Sequence, residues 1–280
     1  MSPPRTRRDG GSRDQTPPPV PEPLAVPAPD AHAHLDLMDV PVADALAAAA
    51  AVGITRVLTI GIDVASSRWC AQTAAAHPGL HAGVAIHPNE APRHADDGAL
   101  AEIERLARQP EVRTVGETGL DYYRTGPEDR PAQQESFRAH IDIAKRTGTA
   151  LMIHDRDAHD DVLRILAEEG APEHVVFHCF SGEATMVHQC IERGYVMSFA
   201  GNVTFKNAGP LREAALEAPL DLLLVETDAP FLTPMPHRGQ PNAPYLLPLT
   251  VRFLAELKSV PTDDLCRSLT ATAGRVFGPA

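Results

Sequence analysis

From Leu24 onward, short apolar runs rich in β-branched residues alternate with longer stretches whose apolar positions recur every three to four residues. The first pattern suits strands buried on both faces of a parallel sheet. The second marks the inward stripe of an amphipathic helix. The short runs predict strands over 54–60 (ITRVLTI), 82–86 (AGVAI), 112–116 (VRTVG), 150–154 (ALMIH), 174–178 (HVVFH), 195–199 (YVMSF) and 222–226 (LLLVE), with a shorter one near 31–35. Helices are predicted over 42–52, 64–77, 96–108, 131–147, 157–170, 183–193, 209–217 and 245–258, and a C-terminal helix near 261–276. Eight strand–helix units in strict alternation predict an α/β fold, a (β/α)8 TIM barrel, with a doubly wound sheet as the alternative. Pro27 and Pro29 lack the N–H that a ladder uses, so the first strand is expected to begin after Pro29.

Residues 1–23 combine proline, glycine, arginine and aspartate with almost no large apolar side chains, and are expected to form a disordered tail. The remaining 24–280 are expected to make one hydrolase-sized barrel domain. The tail has no apolar core of a signal peptide, and its prolines and glycines disfavour an amphipathic transit helix. Cys70, Cys179, Cys190 and Cys266 are scattered without a C-x-x-C pair, which argues for reduced thiols in a cytoplasmic protein and against a thiolate zinc site. No run of about 18 apolar residues would span a membrane. The formal net charge is −12, which speaks against a broad basic face for nucleic acid. Bound cations and a few local arginines or lysines would then have to handle any phosphate.

The ionisable residues fall at one end of these strands. His32 and His34 end the first, His87 follows the third, Glu117 and Asp121 follow the fourth, and His154 and Arg156 end the fifth. His178 ends the sixth, and Glu226 and Asp228 end the eighth. In a barrel, the C-terminal ends of all strands meet at one mouth. The H-x-H pair puts both rings on one strand face, because side chains alternate with period two. Taken singly, a histidine after an apolar strand is ordinary core, and an aspartate before a proline merely starts a turn. The opposite strand ends, at Thr55, Val112, Thr149 and Asp221, carry no comparable cluster. His32, His34, His154 and His178 with Glu117 and Asp228 exceed what one tetrahedral ion takes, and suit two divalent ions bridged by a carboxylate. The nitrogen-rich set favours Zn2+, Mn2+ or Fe2+, while the lack of cysteine ligands leaves Mn2+ and Mg2+ open.

These residues lie in DAHAHLD (30–36), AIHP (85–88), VGETGLDYYR (115–124), Gln133 with Phe137, IHDRDA (153–158), FHCFSG (177–182), GNVTFK (201–206) and ETDAPFLTPMPHRGQPNAP (226–244). In this order the chain resembles the TatD-type metal-dependent deoxyribonucleases, within the metal-dependent hydrolase superfamily of TIM barrels. The resemblance implies His32 and His34 as the first ligand pair and Glu117 as the bridging carboxylate. It implies His154 and His178 as the second ion's ligands, and Asp228 as the aspartate that binds metal and orients water. It places His87, Arg156 and Arg238 on the substrate side, and implies 3′ to 5′ exonuclease action on DNA, preferentially single-stranded. Thr272 stands where the family usually shows an asparagine, which touches only local helix-end packing.

The expected reaction is phosphodiester hydrolysis by a water activated between two divalent ions (Mg2+, Mn2+ or Zn2+), with Glu117 and Asp228 as the catalytic carboxylates. Arg156, Lys206 and Arg238 could clamp phosphates around the mouth. Tyr122 and Phe180 are candidates to stack on bases, with packing beneath loops as the other reading. The expected partner is DNA as short single strands or strand ends, or RNA, bound by a monomer without membrane contact. The same mouth would also serve hydrolysis of a lactone, an amide or an aminoacyl-tRNA ester.

Overall fold

The computed structural model describes residues 15–94 and 96–279. Its strands are β1 (Ala28–Ala33), β2 (Ile54–Ile60), β3 (Leu80–Val84), β4 (Val112–Asp121), β5 (Ala150–Arg156), β6 (Val175–Phe177), β7 (Val196–Phe199) and β8 (Leu223–Val225). The helices between them are α1 (Val42–Ala51), α2 (Val64–Ala76), α3 (Ala91–His94), α4 (Asp97–Ala107), α5 (Arg130–Thr147), α6 (His159–Glu169), α7 (Ala184–Arg193) and α8 (Gly209–Glu217). After β8 come α9 (Leu247–Leu257) and α10 (Thr262–Phe277).

The strands pair in parallel in chain order, β1 through β8. β8 then returns to β1. The Asp228 N–H donates to His32 O at 2.9 Å and the His34 N–H to Ala229 O at 2.7 Å, across the bridge Ala33–Ala229. A doubly wound sheet would leave two edges, so that alternative falls and the barrel stands. Asp30, fully buried, reinforces the seam by accepting from the Thr227 N–H at 2.9 Å and the Thr227 hydroxyl at 2.6 Å.

The first strand begins earlier than the prolines suggest, at Ala28, and Pro29 lies inside it. Ala28 N–H donates toward β2, to Gly53 O, and the register shifts between Ala28 and Pro29. The next nitrogen therefore points toward β8, where the seam bridge comes only later, at Ala33, so the missing proline donor leaves no ladder partner unmet. β3 starts and stops two residues before its expected range. The Ala85 and Ile86 N–H groups leave the ladder for the Ser67 hydroxyl (3.2 Å) and His140 Nε2 (3.0 Å).

Two apolar layers fill the molecule. Inside the barrel, Ala31, Leu58, Ile60, Ala150, Met152, Val176, Val196 and Leu224 pack together, and Ala273, Val276 and Phe277 of α10 plug the bottom. Outside, the helices bury a larger shell on the sheet. Thr272, buried on α10, donates its hydroxyl to Asp221 O at 3.3 Å, tying the plug to the turn before β8. The bottom is thus closed by side chains, and the C-terminal mouth is where polar groups gather.

Ahead of β1, residues 15–27 run without regular structure but in contact with the barrel. The Tyr245 hydroxyl donates to Pro18 O at 2.7 Å, and Arg252 Nη2 donates to Glu22 O and Pro23 O at 2.7 and 3.0 Å. Residues 1–14 of the expected tail lie outside the described residues. Among the described residues, no helix is long and apolar enough to cross a membrane.

Candidate metal centre

Period-two alternation carries His32 and His34 to the mouth at the end of β1. Their Nε2 atoms sit 3.2 Å apart. His34 Nδ1 lies 2.9 Å from Ile60 O, which can only accept, so Nδ1 carries a proton and Nε2 is the nitrogen that faces the centre. Asp228, just beyond β8, holds φ 53 and is pinned by its own N–H to His32 O. Its Oδ1 comes within 3.8 Å of His32 Nε2 and 3.6 Å of His34 Nε2.

Glu117 reaches the same point from the far part of β4. That stretch needs Gly119, at φ +130, because a Cβ there would sit 2.2 Å from His154 O on β5. The two Glu117 oxygens face different partners. Oε1 lies 3.7 and 3.3 Å from Nε2 of His32 and His34. Oε2 lies 3.1 Å from His154 Nδ1, 2.9 Å from His178 Nε2 and 3.6 Å from His87 Nε2. One buried carboxylate therefore joins two donor sets. His32, His34 and Asp228 converge on one side; His87, Glu117 and His154 converge on the other.

Further carboxylates stand behind the rings. Glu226, fully buried, accepts from the Cys179 N–H at 2.8 Å and the Ser198 hydroxyl at 2.6 Å, and lies 3.1 Å from His178 Nδ1. Both its oxygens are engaged, so although it lies near His32 and His178 it acts as support for His178. Asp121 Oδ2 lies 3.3 Å from His154 Nε2, an ion contact rather than an aligned hydrogen bond. Asp121 is held in turn by Asn89 Nδ2 at 3.1 Å, while its own N–H donates to Gln133 Oε1 at 2.9 Å.

The electrostatics match this layout. Burial and the nearby His178 hold His32 below the ordinary imidazole range. Burial opposes charge on His34, yet hydrogen bonds to Asp228 and Glu117 push it up to about 10. Burial likewise opposes charge on His178, but Glu117 and Glu226 raise it well above its usual value. Glu117 is lowered well below the carboxylate range, His178 and His87 outweighing its burial. A knot of imidazoles and carboxylates out of water is stable only if opposite charges meet there. Divalent cations meet the same oxygens and ring nitrogens equally well, and nitrogen-plus-carboxylate donors are the set that Zn2+, Mn2+ and related ions accept. The donor chemistry fits a metal centre.

A model of the family described as "TatD related DNase" matches residues 29–278. A metal-dependent hydrolase named TatD from Mycobacterium tuberculosis is 47% identical over 232 residues, covering 81% of this chain and 88% of the relative. The chain belongs to the TatD-related DNase family. The metal-dependent hydrolase YabD of Bacillus subtilis is 37% identical, over 80% of this chain and 88% of the relative. Among solved structures, the TatD homologue YjjV of Escherichia coli superposes with a TM-score of 0.85 at 26% identity, covering 90% of this chain and 98% of that one. The chain is thus a metal-dependent hydrolase of the TatD family, carried on a parallel barrel.

The structure brings His32, His34, Glu117, His154, His178 and Asp228 together. His87, expected on the substrate side, sits against the cluster, its ring 4.5 Å from that of His154. Arg156 lies over the Tyr123 ring at 3.9 Å and Arg238 over the Phe205 ring at 4.2 Å, while Lys206 is exposed. Phe180 does not serve as a stacking platform: it is 2% exposed and packs against Phe177 and Phe199. Tyr122 is committed to Asp161 through its hydroxyl at 2.6 Å and lies under Arg130. The exposed aromatic is Tyr123, at 64%. The supporting roles of Glu226 and Asp121 escaped sequence reasoning. Their signal is a place at the mouth end of a strand, two or four residues from a candidate ligand, in E-T-D and E-T-G-L-D.

Proposed function

We propose that this chain hydrolyses phosphodiester bonds of DNA, acting from the 3′ end of single strands, with two divalent ions held across Glu117. The observation that supports the two-ion reading is the division of Glu117, one oxygen toward His32 and His34 and the other toward His154 and His178. The family description supports DNA over other esters.

His32, His34 and Asp228 would hold one ion, His154 and His178 the other, and Glu117 would join them. Bound divalent cations supply Lewis-acid charge to a phosphoryl group and lower the pKa of water toward neutrality. Asp228 then orients the attacking water and takes its proton at a carboxylate oxygen. Glu226 and Asp121 keep the His178 and His154 rings aimed. Arg156, Lys206 and Arg238 bind flanking phosphates, and His87 borders the scissile group from the β3 side. Tyr123, beside Arg156, offers the exposed face on which a terminal base can stack.

The test is to strip the protein with chelator, restore Mg2+, Mn2+ or Zn2+ singly, and follow 3′- and 5′-labelled single-stranded DNA beside lactone, amide and aminoacyl-ester substrates. Metal-dependent release of mononucleotides from the 3′ end is expected. Turnover confined to a lactone, amide or aminoacyl ester would contradict the nuclease reading and keep the hydrolase.

A further inference from the structure

A second cluster of titratable side chains lies at the bottom of the barrel, away from the metal centre. Arg56 on β2 stands two residues before Leu58 and shares the inward face of that strand with Leu58 and Ile60. His81 on β3 lies opposite Leu58 in the ladder. Between β3 and β4 the register slips, with Ala82 facing Val112 and Gly83 facing Thr114, so Arg113 is the extra residue. Such an extra residue re-aims its side chain, and Arg113 Nε donates to His81 Nδ1 at 3.5 Å. Three neighbouring strands thus bring two guanidiniums and an imidazole together beside the Phe277 plug.

Part of this cluster has an ordinary structural use. Arg56 donates from Nη1 to Gly278 O at 2.7 Å and from Nη2 to Phe277 O at 3.0 Å, so a cation closes the C-terminus of α10. Three features are left over. The Arg56 Nε–H is buried without an acceptor. His81 Nδ1 accepts from Arg113, and burial together with the two guanidiniums holds the ring down to about 4, so it is neutral with its one proton on Nε2. That Nε2 is also buried without an acceptor. Finally, among the described residues neither guanidinium meets a carboxylate, although burial and the nearby Arg113 lower Arg56 to about 10. On the helical shell, by contrast, Arg68, Arg105, Arg108 and Arg146 each have one.

Arg56 and His81 are only 5% and 8% exposed, where an unmet donor or an unbalanced charge is costly. Two orphan N–H donors beside two guanidiniums call for an acceptor that carries negative charge. Arg113 is half-buried, which gives solvent a way to the cluster. Guanidinium groups also match the spacing of oxygens on a tetrahedral oxyanion.

We propose that Arg56, His81 and Arg113 bind a small tetrahedral oxyanion, phosphate or sulfate, at the bottom of the barrel. The anion takes the Arg56 Nε–H and the His81 Nε2–H, offsets the repulsion between the guanidiniums, and so ties α10 to β2, β3 and β4. The site is separate from the hydrolytic centre and stands whether the substrate there is DNA or another ester.

The experiment follows thermal unfolding of the metal-loaded full chain in rising sulfate at constant ionic strength, beside Arg113→Met and His81→Leu. Neither substitution removes the Arg56 bonds that close α10. Ions at the mouth take sulfate alike in all three proteins, so the difference between them reads the bottom. The Tm of the parent should climb with the logarithm of sulfate concentration. The concentration that starts the climb should be about tenfold higher in either variant, the effect of losing one hydrogen bond to a charged group. Crystals soaked in selenate should show an anomalous peak between Arg56 Nε and His81 Nε2. The same sulfate dependence in all three proteins, or none in the parent, would overturn the site. A selenate peak without the solution response would mean an adventitious ion only and overturn it too. A response gained only when Gly-Ser-Gly is added beyond Ala280 would assign the guanidiniums to the terminal carboxylate and remove the free anion.

Discussion

Glu226 shows how far a single residue's part depends on partners the sequence does not display. Its oxygens serve the Cys179 N–H, the Ser198 hydroxyl and the His178 ring, from β7 and from the loop that follows β6. The histidines proposed as ligands could be found because each stands at the end of a strand, whereas Glu226 shares its motif with Asp228 and differs only in what it touches. Replacing it by Gln should leave the fold intact and weaken metal binding about 10- to 100-fold, measured by titration of the stripped protein. Phe180 is the converse. In FHCFSG it reads as a mouth aromatic, yet the turn at Cys179 (φ 43) sends it into the core beside Phe177 and Phe199. His140 is a buried imidazole apart from the centre, accepting the Ile86 N–H at Nε2 and placed 2.6 Å from Ser136 O at Nδ1. Burial lowers its pKa from 6.5 to about 4, the Ser136 carbonyl only partly opposing. The unfolded chain therefore binds the proton more readily, and stability that is full above pH 6.5 is lost as pH falls toward 4. The share due to His140 at pH 5 is about 2 kcal/mol. Urea midpoints between pH 7 and pH 5 should fall less steeply in His140→Gln than in the parent; equal slopes would assign the acid sensitivity to other groups.

At the scale of elements, periodicity and local stops located α1, α2 and α4 to α10 to within about two residues, whereas α3, only four residues long, is too short to show a period and was missed. α2 shows the local signals best: the Asp63 side chain accepts the Ser66 N–H at 2.7 Å while the Ser66 hydroxyl accepts the Asp63 N–H at 3.0 Å. Strand limits were less legible. β4 runs on to Asp121, since Thr118 through Asp121 pair with Ile153 through Arg156 even though E-T-G breaks the apolar pattern. β1 takes in Pro29 because of a register shift that only the neighbouring strand reveals. Some joints rest on one side chain. Lys258 closes the C-terminus of α8 by donating to three carbonyls. Lys258→Met removes those bonds and keeps most of the apolar stem, so a loss of about 1–3 kcal/mol is expected in chemical denaturation. A change below about 0.5 kcal/mol would show that water caps α8 equally well.

Over the whole molecule, part of the acidic total is paired with arginines on the helical shell. Glu102 meets Arg68 and Arg105, and Glu104 meets Arg108 and Arg146. The mouth is a separate electrostatic region, where β1, β4 and β5 and the segments that follow β1, β3, β6 and β8 bring imidazoles and carboxylates into one buried knot. The alternation of apolar runs made the barrel legible, and the barrel in turn made six scattered residues one site. How the site is divided was not legible, because it depends on which oxygen of Glu117 faces which ring. That division is tested most directly by an anomalous-difference map of crystals grown with Mn2+. Two peaks are predicted, one bounded by His32, His34 and Asp228 and the other by His154 and His178, with a Glu117 oxygen on each. A single peak, or two peaks that do not share Glu117, would contradict the account.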